Sequence, residues 1–216
     1  MVEVVWLGHA CFRLAGRTKS LIFDPFKGVG LPEPKVKADI ILCSHSHSDH
    51  NNAKAVRHDR SVVLEGFTGR KDVDSVSIKG VGTFHDEDQG TKRGKNSAYT
   101  VSLDDFVFCH LGDLGHELST SQVSEIGSVD VLFIPVGGFF TIGPEEARKV
   151  MESLKPKITF PMHYRLRGML ATFDPLSTVE DFLRRGDNVK RLDTASLTVT
   201  RTDLPEKPLI VIPKLR

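Results

Sequence analysis

The chain has 216 residues, of which 39% are hydrophobic and 26% charged, an ordinary globular composition that excludes a disordered, collagen-like or disulfide-stapled protein. Its length suits one domain spanning residues 1–216. With 29 basic and 28 acidic residues the formal charge is +1, so no global basic field exists to hold nucleic acid.

In chain order, short turn-separated strands are predicted at Val2–Leu7, Cys11–Leu14 and Ser20–Phe23. Ala38–Cys43 (ADIILC) is a continuous apolar run, the pattern of a strand buried on both faces. Asn51–Arg57 reads as helical. Strands follow at Ser61–Leu64, Ser75–Lys79, Ala98–Leu103 and Phe106–Cys109. Ser119 with Gln122 opens a short helix that Gly127 closes, and Val129–Pro135 is a second buried strand. Pro144 fits the first position of a helix whose apolar face is Ala147, Val150, Met151 and Leu154, ended by Lys155-Pro156. Lys157–Phe160 is a strand. Ser177 with Glu180 reads as a capping box for a helix stopped by Gly186, and Leu197–Arg201 and Leu209–Ile212 are the last strands. Strands early and βα alternation later predict an α/β layered fold with a mixed sheet.

Cys11, Cys43 and Cys109 all sit in apolar runs, which fits core packing in a reduced, cytoplasmic setting. Glu3, His9, Arg13 and Arg17 interrupt the N-terminal segment, so it does not read as a signal peptide. No apolar run is long enough to span a bilayer.

The chain holds 9 histidines, and three of them fall in the stretch Ser44-His45-Ser46-His47-Ser48-Asp49-His50, directly after a buried strand. His45 and His47, two apart in extended backbone, project to one side. Asp49 and His50 come where the chain turns toward a helix and point elsewhere. One loop of this kind serves two adjacent cations, because neutral imidazoles and ionised carboxylates each offer a lone pair. It cannot complete two coordination spheres alone. Further donors are expected at other strand ends, where open α/β sheets place their sites. His85, Asp113 and His163 each sit in a Gly- or Pro-bearing turn after an apolar run.

These residues resemble the metallo-β-lactamase superfamily of binuclear metallohydrolases. The signature is His45-x-His47-x-Asp49-His50, with His85, Asp113 and His163 following in the family's order. WLGHACFRL, IFDPF, SHSHSDH, FHDEDQGTKRGKN, CHLGDLGH, IPVGGFFTIGPEEA and FPMHY, which cover most of Val5–Tyr164, look like the branch containing ascorbate-6-phosphate lactonase. The resemblance implies a four-layer αββα sandwich with mixed sheets and two divalent ions at one edge. It places His45, His47 and His85 on the first ion and Asp49, His50 and His163 on the second. Asp113 bridges them together with a water or hydroxide, so Asp49, His50 and Asp113 are the catalytic candidates. A donor set of imidazole and carboxylate without thiolate suits zinc, the superfamily's default, and also manganese or iron.

Some placements stay open at this point. His110, three residues before Asp113, is an alternative to His85. Asp24 matches the superfamily's early outer-shell aspartate or is an Asp-Pro turn residue. His9 is a residue at the edge of the site or a structural turn. Arg93, Asn96 and Arg165 are candidate contacts to a phosphate or carboxylate on the substrate, against a plain solvated face. The reaction expected is hydrolysis of an ester, lactone or similar bond in a small anionic molecule. The rivals are a phosphodiesterase of nuclease or phospholipase-D type and a di-iron redox protein. Neither nucleic acid nor membrane is favoured as a partner, and homo-oligomerisation is left open.

Overall fold

The computed structural model describes residues 1–215. Fourteen strands form two sheets. The first holds β1 (Val2–Gly8), β2 (Cys11–Ala15), β3 (Ser20–Phe23), β4 (Ala38–Cys43), β5 (Arg57–Glu65) and β13 (Ser196–Val199). The second holds β6 (Gly69–Val73), β7 (Val76–Phe84), β8 (Lys95–Leu103), β9 (Phe106–His110), β10 (Val131–Pro135), β11 (Ile158–Met162), β12 (Val189–Arg191) and β14 (Leu209–Ile212). Their orders are β13-β1-β2-β3-β4-β5 and β12-β14-β11-β10-β9-β8-β7-β6. Both sheets are mixed. β3, β4 and β5 run parallel, as do β9, β10, β11, β14 and β12, while β1–β2–β3 and β6–β7–β8–β9 pair antiparallel.

Four helices supply the outer layers: α1 (Ala53–Val56), α2 (Thr120–Ile126), α3 (Pro144–Leu154) and α4 (Val179–Phe182). α1 packs on β4 and β5, α2 on β7, and α3 on β10 and α4. This is the expected αββα arrangement, with thin helical layers. Among the described residues no helix is long and apolar enough to cross a membrane.

The period of two in β4 shows how burial sorts the side chains. Ile40 and Leu42 join the main core between the sheets, whereas Ile41 and Cys43 join a second cluster with Phe26 and with Val56 of α1. The main core is built around Phe133, which is fully buried, with ring centroids 4.3 Å from Phe12, 5.5 Å from Phe160 and 5.8 Å from Phe23. Cys11, Cys43 and Cys109 are buried and free.

Four sequence expectations need correction. β6 and β12 carry GRKDV and VKR, too polar for a hydrophobic period to reveal them. Both lie at an edge of the second sheet, where charged side chains are the usual protection against unwanted pairing. The helix expected over Asn51–Arg57 is one turn long, because Arg57 already belongs to β5. β5 itself is longer than the apolar Ser61–Leu64, its first residues being exposed and charged. Last, Ser177 does not cap α4: its N–H donates to the Gly137 carbonyl (2.7 Å) and its own carbonyl accepts from Arg165 N–H (2.9 Å). Thr178 with Asp181 takes the capping role one residue later. Arg148 of α3, itself buried, donates to the Phe182 carbonyl and pairs with Asp187, fixing the end of this short helix.

The aromatic centre sets a clear expectation. Phe133→Ala should destabilise the fold by about 3–5 kcal/mol, the usual cost of a buried Phe truncation, read as a lower midpoint in urea with an unchanged slope. A loss below about 1 kcal/mol would show that the two sheets are not held by this ring cluster.

Candidate metal centre

Six strands deliver chemistry to one edge of the sandwich. β1 runs into His9, β3 into Asp24, β4 into His45–His50, β7 into His85, β9 into Asp113 and β11 into His163. Each donor follows a carboxyl strand end, where a turn frees its backbone from the ladder. His9, Asp24 and His163 all adopt left-handed backbone, with φ of 52°, 42° and 52°. Such angles cost energy in non-glycine residues and persist only where the surroundings fix them. Here Trp6 Nε1–H donates to the His9 carbonyl (3.1 Å). Gly137 is required at its position because a Cβ there would lie 2.0 Å from the His163 carbonyl oxygen. Gly112, at φ +57°, gives the Asp113 turn a comparable fit: a Cβ would stand 2.4 Å from Asn96 Oδ1.

All seven predicted donors come together. His45, His47 and His85 form one group whose donor atoms lie within 4.8 Å of one another, and Asp49, His50 and His163 form a second, joined by His9. Asp113 stands between them. Its Oδ2 is 3.1 Å from the Nε2 of both His50 and His85, 3.4 Å from that of His163 and 3.9 Å from that of His45. His45 Nε2 and His47 Nδ1 converge at 3.1 Å.

The tautomers follow from the hydrogen bonds. Ser44 Oγ donates to Asp24 Oδ2 (2.7 Å), so it accepts from His45 Nδ1–H (2.9 Å), leaving the His45 Nε2 lone pair facing the centre. His50 Nδ1–H donates to the same Asp24 oxygen (2.8 Å), which turns the His50 Nε2 lone pair inward as well. One buried carboxylate therefore orients a donor on each side of Asp113. A serine beside a ligand-capable histidine carries no sequence signal for this use, and Ser44 is not among the expected site residues. Of the buried atoms around the centre, His50 Nε2 and Asp113 Oδ1 have no hydrogen-bond partner within the protein. A buried polar atom left so costs about 1–3 kcal/mol unless something else meets it. Divalent cations fit this donor set.

Electrostatics divides the residues further. Burial, with help from the His50 charge, pushes His45 down to about 3, keeping it neutral and able to donate a lone pair. His47 is lowered by the same burial and by His85. Burial and the neighbouring His163 take His9 down to about 4. In Asp113 burial works upward, but His163, His50 and His85 outweigh it and hold the carboxyl well below its usual range. Burial lowers His50, yet Asp113 and Asp24 win and raise it.

The alternatives resolve in space. His110 is not aimed at the centre: its Nε2–H donates to the Ala10 carbonyl (2.8 Å), its Nδ1 accepts from Gly112 N–H (3.1 Å), and the ring stacks on Phe23. It braces the Asp113 turn from behind. Asn96 also faces inward. Its amide donates to the Leu111 carbonyl and Thr83 Oγ1, and its Oδ1 accepts from Asp113 N–H (3.0 Å), so it positions Asp113 and does not reach the cleft. Arg165 bonds the Leu166 carbonyl and Asp174 and does not line the cleft either. Of the three candidate substrate contacts only Arg93 lines it.

The cleft over the donors has a volume of about 440 Å³ and is walled by Lys27, Arg93, Phe140, Thr172 and Phe173. Arg93 leaves a loop organised by Asp86, whose carboxylate accepts from the N–H groups of Asp88, Gly90, Lys92 and Arg93. Its guanidinium donates to the Phe139 carbonyl (3.2 Å) and lies over the Phe140 ring. Phe140 belongs to the IPVGGFFTIGPEEA stretch quoted above; Lys27, Thr172 and Phe173 carry no motif signal, and the fold alone brings them here.

Comparison with known proteins bears on this edge. Residues 3–163 match the family profile of the Beta-lactamase superfamily domain. A UPF0173 metal-dependent hydrolase of Pyrococcus abyssi is 33% identical over 220 residues, covering 88% of this chain and 95% of its own length. The UPF0173 metal-dependent hydrolase of Thermococcus kodakarensis is 35% identical, covering 76% of this chain and 85% of its own. Among solved structures, a candidate Zn-dependent hydrolase of the metallo-β-lactamase superfamily from Thermotoga maritima superposes over 100% of both chains, with a TM-score of 0.83 and 36% identity. The human tRNase Z short form shares the fold alone, with a TM-score of 0.56 and 14% identity over 76% of this chain.

Asp24 offers the cleanest test of the centre's support. Asn is one of the few residues that tolerates φ near 42°, so Asp24→Asn should fold. Loss of the shared acceptor is expected to weaken binding of zinc or manganese by about 10–100-fold, measured by competition with a chromophoric chelator. Parental affinity in that variant would remove the orienting role assigned to this carboxylate.

Proposed function

Because this chain belongs to the metallo-β-lactamase superfamily, among its metal-dependent hydrolases, we propose that it holds two divalent ions and hydrolyses an ester, lactone or similar bond in a small anionic substrate. The observation that carries the reading is the crowding around Asp113: four imidazole nitrogens within 3.9 Å of one carboxylate oxygen, fed by two separate donor sets. A single ion satisfies one set and leaves the other unmet.

Two such ions, when bound, supply acidity that makes hydroxide available from water near neutral pH and positive charge for the substrate oxygen that turns negative. Everything else falls to the chain. Asp113, held anionic and placed between the sets, would hold both ions. Asp49, half-buried at the cleft, orients the attacking water while serving the second set. Arg93 and the exposed Lys27 stand at the cleft wall, where a substrate phosphate or carboxylate finds charge-assisted hydrogen bonds. Phe140 and Phe173 present apolar faces to the remainder of the molecule and exclude water from the reacting bond. Zinc is the first candidate for both positions, and manganese and iron also suit nitrogen and carboxylate donors.

The first expected outcome concerns metal. Purified protein should carry close to two transition-metal ions per chain, by elemental analysis. Chelation should abolish hydrolysis and re-addition restore it. Asp113→Ala should lose both metal and activity, to below about a tenth of the parental level. Full hydrolysis by that variant would end the scheme. A second outcome concerns substrate charge. On a panel of lactones, thioesters and phosphodiesters with and without a charged group, Arg93→Ala should lose about tenfold or more in kcat/KM for anionic members only. That corresponds to the roughly 1.5 kcal/mol of one hydrogen bond to a charged group. An equal loss for neutral members would refute the anionic substrate.

A further inference from the structure

His9 lies in the WLGHACFRL stretch but outside the His45-x-His47-x-Asp49-His50 ligand signature and the downstream ligands, yet its environment is not that of a plain turn residue. Its side chain is fully buried, and neither Nδ1 nor Nε2 has a hydrogen-bond partner. Its backbone is held in left-handed geometry at φ 52°, fixed by Trp6 at the carbonyl. Phe26 and Phe173 meet the ring edge-on and close its apolar sides, and the His163 ring lies 4.3 Å away. The polar direction left to it is toward Asp49, whose Oδ2 stands 3.5 Å from Nε2 without the alignment of a hydrogen bond. Buried ring nitrogens left unmet are costly, and the strained turn adds to that cost. A structural turn residue explains neither the strain nor the aim.

We propose that His9 Nε2 is an additional donor to the second ion, completing the set His9, Asp49, His50 and His163, whose donor atoms already lie within 4.8 Å of one another. This rests on the two-ion reading above. It makes the two positions unequal. With Asp113 shared, the first has four protein donors and the second has five. The second ion is then the tightly held one, serving structure and orientation. The first, with more of its coordination sphere free, is the position where substrate and water exchange.

Cobalt(II), added to the metal-free full-length protein, tests this, because its visible spectrum reports coordination number independently of turnover. Parental protein should take up two equivalents of distinct affinity. In His9→Ala the tighter equivalent should weaken by tenfold or more and its visible band should change intensity, while the weaker equivalent stays at its parental affinity. Imidazole added to this variant should restore the parental band by filling the vacated space. His9→Gln, which keeps most of the volume, should show the same selective weakening, and thermal unfolding of the metal-free variants checks that both fold. Two equivalents bound with parental affinities and spectrum in both variants would overturn the assignment. So would weakened affinity with an unchanged spectrum, since His9 would then act only through Asp49. If the parental protein itself binds fewer than two equivalents, the two-ion reading falls first, and the two failures are told apart.

Discussion

A carboxylate surrounded by imidazoles at the dry end of a double sheet is the constraint on which the rest depends. Asp113 is almost completely buried, and an isolated anion in that position would be costly to desolvate. What makes it tolerable is the ring of nitrogens around it, and those nitrogens have few other partners. The arrangement is therefore unfinished as protein alone. Either protons or cations must reconcile the converging lone pairs; His45 resists a proton while His50 favours one, so protons alone leave part of the cluster unmet. Family membership and the chemistry of the donors point the same way.

Behind the donors lies a supporting layer that does comparable work. Asp24 fixes His50 directly and His45 through Ser44. Asn96 and His110 fix the Asp113 turn from two sides, and Gly137 lets the neighbouring chain approach the His163 carbonyl. Each of these contacts converts a flexible side chain into one with a single useful orientation. Polar residues so placed look like ligands or substrate contacts in a sequence, which is why His110 was an open ligand candidate and Asn96 an open substrate contact. In space their polar atoms are already committed to backbone groups and, for Asn96, to Thr83 Oγ1 as well.

Most of the centre was legible because its spacing has a mechanical cause. Donors two apart after a buried strand project together, and donors in turns after apolar runs arrive at the same edge. The long apolar strands, Ala38–Cys43 above all, were legible for the same reason. Illegible features were those without a hydrophobic period or a local rule. The edge strands Gly69–Val73 and Val189–Arg191 pair through their backbones while their side chains stay in water. Lys27 reaches the cleft from a loop, and Phe173 from a single 3-10 turn, whose courses depend on everything around them. Arg165 was misjudged because nearness to His163 in sequence says nothing of direction: the chain turns at His163 and carries the guanidinium away to Asp174.

The scatter of the donors along the polypeptide has a consequence for assembly. In the two-ion reading the first position draws on His45 to Asp113 and the second on His9 to His163, and each takes donors from both sheets, so neither exists before the sheets have met. No hairpin or half-formed domain can offer a working grip to a cation, so capture waits for the complete native topology. In that reading, captured ions would act as a clasp across the sandwich. At a free concentration about a thousand times the dissociation constant, each would add roughly 4 kcal/mol to the folded state by mass action. Starvation for metal would then surface first as a shorter-lived protein, not merely as an idle one.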